Sequence, residues 1–116
     1  MPERSSGIAE RLAHLGRAFL ARSRGEASRL SELQQVLLTS DAASAAAAVG
    51  EIEAIAHRLR GTAGTLGFAE VSEAAARIED AAAVFSGPGV PVAPNAGSAL
   101  SEPIAQLVTM IEDLAG

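Results

Sequence analysis

The chain has 116 residues, 48% of them hydrophobic and only 3% aromatic, with a formal net charge of −5 and no cysteine. That length suits one domain around one core. Without Cys there is no disulfide frame, thiolate metal site or cysteine nucleophile, and an acidic chain whose basic residues are scattered Arg, with no Lys, disfavours nucleic acid as a partner.

Alanine is the commonest residue and the best helix former, while Val, Ile and Thr are sparse. An all-α domain is expected. The opening stretch MPERSSGIAERLAHL has no long apolar run, so neither a signal peptide nor a membrane span is predicted, and a cytoplasmic location is expected.

Ile8, Leu12, Leu15 and Phe19 recur at spacings of four, three and four, which predicts an N-terminal helix over about 7–24. A second stripe, Leu30, Leu33 and Leu37, predicts a helix over about 26–39. One helix from 7 to 39 would be roughly 48 Å long, so a break or bend is expected at Gly25. Thr39-Ser40-Asp41 supplies N-cap residues for the next helix, about 42–66. Its apolar stripe is Ile52, Ile55, Leu59, Ala63 and Leu66, and Gly67 is its expected stop.

The following helix, about 69–86, shows Val71, Ala74, Ala75, Ile78, Ala82 and Phe85 on one face. SGPGVPVAPNAGS then reads as a loop. The last helix, about 98–114, carries Leu100, Ile104, Leu107, Ile111 and Leu114. These stripes need one another for burial. The expected architecture is an antiparallel, up-down four-helix bundle with an additional N-terminal helix, as one domain over residues 1–116.

One segment stands out: AHRLRGTAGTLGF, residues 56–68, where a histidine meets three glycines. At about 100° per residue, His57 points well away from the stripe containing Ile55. Glu53, His57, Arg60, Gly61 and Gly64 share the opposite face. A glycine within a helix costs about 1 kcal/mol relative to alanine. In a chain this rich in alanine, Gly61 and Gly64 beside His57 suggest that space is needed there. Imidazole is largely neutral near pH 7, and the neutral ring is a nucleophile. Arg60, one turn along, is placed to pair with an anion brought to that ring. A histidine attacking phosphorus, with a guanidinium to hold the phosphoryl oxygens, accounts for all four residues.

This segment resembles the histidine phosphotransfer (HPt) motif of bacterial phosphorelays, written H-x-L-K-G-x-A-x-x-x-G. His57, Leu59, Gly61, Ala63 and Gly67 match its fixed positions, and Arg60 stands where the family has lysine. Over about residues 7–114 the likeness is a pattern of helices alone. The resemblance implies a carrier that takes a phosphoryl group from a receiver aspartyl phosphate, holds it as phosphohistidine and passes it to another receiver aspartate. It implies no kinase or phosphatase activity, no cofactor of its own, and Mg²⁺ supplied by the receiver. The implied roles are phosphoacceptor for His57, cationic neighbour for Arg60 and clearance for Gly61. The Lys-to-Arg change keeps the charge and alters the geometry of phosphate contact.

Register adds one residue. Around a turn near Gly67-Phe68, His57 faces Ile78 or Glu79 in the next helix. Glu79 is expected to accept a hydrogen bond from the ring and leave the other nitrogen reactive.

Other features read more plainly. His14 lacks the Leu-Arg-Gly spacing and is expected to be solvated. Glu53 and His57 have i, i+4 spacing but no further ligands nearby in sequence, so no metal is expected. GTAGTLG follows a helix and lacks Gly-Lys-Ser/Thr, which excludes a phosphate-binding loop of the P-loop kind. Arg22, Arg24 and Arg29 form a loose basic cluster, either a solvated face or a dock for an acidic receiver. The expected partners are receiver domains and a hybrid histidine kinase, with no nucleic acid and no membrane. A monomer is expected because the bundle is closed, and a free protein because the chain starts at Met1 and ends soon after the last helix. The competing readings are a docking module that blocks a receiver or kinase, and the phosphoacceptor domain of a chemotaxis-type histidine kinase. An independent enzyme finds no second catalytic group.

Overall fold

The computed structural model describes residues 2–39, 41–86 and 96–115, and the side chains among them except those of 2–6 and 42. Ser40 of the expected cap and most of the Gly/Pro-rich loop lie outside the described residues. Four helices follow in order: α1 (Pro2–Thr39), α2 (Ala42–Thr65), α3 (Ala69–Ala83) and α4 (Ala96–Ala115). No strand occurs among the described residues. Each helix packs on two others, α1 on α2 and α4, and α3 on α2 and α4, so the four close a ring around one core.

Two expectations for the first forty residues are corrected. The break at Gly25, and with it the separate N-terminal helix, does not occur: α1 is one helix of 38 residues. Phe19 and Leu30 are eleven residues apart, close to three whole turns, so both face the core from one straight helix. Phe19, Ala27, Leu30, Leu33 and Leu37 are all buried. Gly25 is exposed, with nothing within 4 Å of the place a Cβ would take. It weakens the helix without turning it.

The stripe Ile8, Leu12, Leu15 is the second correction. These residues are 50%, 58% and 50% exposed. Their phase is that of the core face, but the helices they would pack on have ended. The α2–α3 turn meets α1 at Gly16 and Phe19: the Phe68 and Phe19 rings stack at 5.4 Å, and a Cβ on Gly16 would lie 3.3 Å from Phe68. The first turns of α1 overshoot the bundle, and the described residues extend 59 Å along the long axis. Leu114, last of the α4 stripe, is likewise 47% exposed.

Asp41 caps α2, its carboxylate accepting from the Ser44 amide at 2.8 Å. Ala45, Ala48, Ile52, Ala56, Leu59 and Ala63 are buried along α2, facing Ala74, Ala75, Ile78 and Ala82 among the buried residues of α3. Small side chains let these two helices approach closely. In α4, Pro103 sits in the helix interior, where it has no N–H to donate to the Ala99 carbonyl one turn back.

α2 ends in a Schellman motif. The Phe68 amide donates to the Ala63 carbonyl at 2.8 Å and the Gly67 amide to the Gly64 carbonyl at 3.3 Å, with Gly67 at φ +87°. An alanine there has open space but the wrong backbone preference. Gly67→Ala is expected to cost about 1–2 kcal/mol, read as a lower urea midpoint at unchanged m-value.

Candidate functional site

His57 sits in the C-terminal half of α2, its side chain 74% exposed. Its backbone is held by Ile55, Ala56 and Leu59, all buried. The turn at Gly67 folds α3 back so that Glu79 lies beside it, as register predicts. Glu79 Oε2 is 2.7 Å from His57 Nδ1, and Glu79 Oε1 accepts from Arg60 Nη1 at 3.0 Å. One carboxylate thus spans ring and guanidinium, an oxygen to each. It is only 19% exposed, whereas Arg60 is 52% exposed.

The Arg60 hydrogen bond, then the one to His57, holds the Glu79 carboxyl below the usual carboxylate range. An ionised carboxylate only accepts hydrogen bonds, so His57 Nδ1 must carry the donated proton. In the neutral ring the lone pair then belongs to Nε2. The geometry therefore presents an oriented nucleophilic nitrogen with a cation beside it.

The two glycines separate. Gly61, one turn after His57, has nothing within 4 Å of a Cβ position and borders the same groove as the ring. Gly64 faces α3. A Cβ there would meet Ser72 Oγ of α3 at 3.4 Å, and that hydroxyl donates to the Arg60 carbonyl at 2.9 Å. That position is in ordinary contact with α3, and Gly64 is not among the residues lining the groove at His57. Ser72 had no signal in sequence, because its contact depends on how closely α2 and α3 pack.

Glu53 accepts from the Ser86 hydroxyl at 2.9 Å, closing the far end of the α2–α3 pair. His14 is exposed on α1. The three arginines of α1 do not act together. Arg29 is engaged by Glu51, at 2.6 and 2.9 Å, and by Glu32 at 3.1 Å. Arg22 instead lines the groove with His57, and Arg24 borders α4 near Leu114. No group of three or more His, Asp or Glu among the described residues is arranged to hold a metal ion. Among the described residues, no helix is long and apolar enough to cross a membrane.

The family model of the Hpt domain matches residues 8–116. No curated protein and no solved structure matches the chain. Helical architecture, motif and family model agree, and the chain belongs to the Hpt domain family, which works in histidine phosphotransfer with response-regulator receiver domains.

Proposed function

We propose that His57 accepts a phosphoryl group from a receiver aspartyl phosphate and returns it to another receiver aspartate. The observation that carries this is the Nδ1 contact to Glu79 at 2.7 Å on a ring that is 74% exposed. Nε2 attacks phosphorus in line, the N–P bond forms as the P–O bond to the aspartate breaks, and the carboxylate leaves. Nδ1 keeps its proton, held by Glu79. Arg60 balances charge on the phosphoryl oxygens, and Gly61 leaves room for them. The N–P bond retains a high transfer potential, so the group moves on in either direction. Mg²⁺ acts at the receiver, where the acyl phosphate is held.

In this reading the protein is a cytoplasmic carrier with no kinase or phosphatase activity, serving receivers that include one on a hybrid kinase. Its four helices run up and down in turn, supported by the Arg29–Glu51, Gly16–Phe68 and Gly97–Leu38 contacts. In this reading it works as a monomer, supported by the closed ring of four helices.

The test is incubation with phosphoramidate, a small donor that loses ammonia on transfer, followed by intact mass. One acid-labile phosphoryl group is expected. No label, under conditions that label a known carrier, rejects the proposal. Glu79→Ala is expected to slow labelling on the order of tenfold. Nitrogen NMR of the ring should show the Nδ1-protonated tautomer in the wild type and a mixture in the variant. Unchanged rates and tautomer would remove Glu79 from the mechanism.

A further inference from the structure

α1 and α2 form a groove that has His57 and Gly61 in its wall. Its apolar part includes Leu15, which is 50% exposed, and Leu66. Arg22 from α1 and Arg58 from α2 stand beside this apolar surface. In a chain of net charge −5, no Asp or Glu lines the groove.

These two arginines differ from the others near the site. Arg29 is engaged by Glu51 and Glu32, and Arg60 by Glu79. Among the described residues, neither Arg22 nor Arg58 has a carboxylate within salt-bridge distance. Glu51, whose field Arg58 shares, hydrogen-bonds Arg29 through both oxygens. Across the molecule, the α3–α4 groove carries Glu70, Glu102 and Asp113 around Arg77. The two grooves thus differ in sign, and only the cationic one reaches His57.

We infer that this groove selects the receiver: Arg22 and Arg58 recognise a receiver surface on which carboxylates flank apolar side chains, and Leu15 supplies the apolar contact. This rests on the phosphotransfer reading above. A receiver whose acyl phosphate reaches His57 lies over this groove, because His57 and Gly61 form part of its wall. Such charge pairing at an exposed rim acts chiefly on encounter rate and partner choice, while burial of Leu15 adds affinity. Arg22 and Arg58 are thus specificity-determining residues that do not touch the reacting atoms.

The experiment uses isolated receiver domains phosphorylated with acetyl phosphate and Mg²⁺, choosing the one that transfers fastest to the wild type. Arg22→Glu/Arg58→Glu, Leu15→Asp and Arg77→Glu are compared. Each variant's kcat/KM for transfer is divided by its own rate of labelling with phosphoramidate, which cancels changes at His57 itself. For the double arginine variant the ratio should fall at least tenfold, with a flatter dependence on salt. Leu15→Asp should lower it without flattening the salt dependence, and Arg77→Glu should leave it unchanged. An unchanged ratio in the arginine variant, or an equal fall in Arg77→Glu, overturns the inference. Calorimetric titration of the same receiver into His57→Gln, with and without the arginine changes, tests the groove independently of chemistry. Failure of wild-type labelling sinks the phosphotransfer reading, whereas equal affinities in this titration sink only the groove.

Discussion

His57→Gln is expected to abolish phosphoryl acceptance from both phosphoramidate and a phosphorylated receiver, while His14→Gln retains it. Glutamine offers no nucleophilic ring nitrogen, and the other imidazole, His14, has no described carboxylate within salt-bridge distance. The acid-labile mass increment should vanish in the first variant and persist in the second. Stability should change by less than about 0.5 kcal/mol, because the replaced side chain is 74% exposed and lies outside the core. A phosphoryl group still present in His57→Gln and missing in His14→Gln would move the acceptor to α1. The Glu79–Arg60 pair would then be a helix–helix tie with no chemical role.

Gly61 should separate stability from function. Nothing lies within 4 Å of its Cβ position, so Gly61→Ala meets no clash and gains helix propensity, about 1 kcal/mol. Side chains on a helix lean toward its N-terminus and cover the preceding turn. A larger group at 61 therefore lies over the turn that holds His57, where the phosphoryl group must arrive. Gly61→Leu is expected to unfold at a urea concentration no lower than the wild type, yet to accept phosphoryl from a receiver at least about a hundredfold more slowly. A natural sequence that forgoes this helix stability keeps the space for another reason. Wild-type transfer rates in Gly61→Leu would show that the space is not used, and clearance would drop out of the mechanism.

Most of the helical pattern was legible because the buried positions of α2, α3 and α4 repeat at helical spacing. Ile52, Ile55, Leu59 and Ala63, Val71 through Ala82, and Leu100 through Ile111 are buried where periodicity puts them. The motif was legible for a related reason: His57, Arg60 and Gly61 lie within one turn of a single helix, so their neighbourhood is local. Glu79 could be placed because only a tight turn separates α2 from α3, and counting outward from Gly67 fixes which residues meet.

The errors fall where neighbours in space are remote in sequence. A glycine and a change of stripe suggested two helices, but core contacts on both sides of Gly25 hold α1 as one. Ile8, Leu12 and Leu15 carry a core pattern, and periodicity cannot tell how far the other three helices reach. The Ser72 hydroxyl that meets Gly64 and the Arg60 carbonyl comes from another helix and had no signal near the motif.

The sequence by itself determined the all-helical class, the Hpt family and the phosphoacceptor candidate, because each depends on spacing within one segment. Tertiary structure alone decided the rest. It set the length of α1 and the exposure of its first turns, the second half of the Glu79 bridge, to Arg60, and the groove that brings Arg22 and Leu15 to His57. The physical reason is that packing between helices fixes their relative rotation and offset through many weak contacts at once. No single residue encodes that offset, so it appears only when the whole core is assembled.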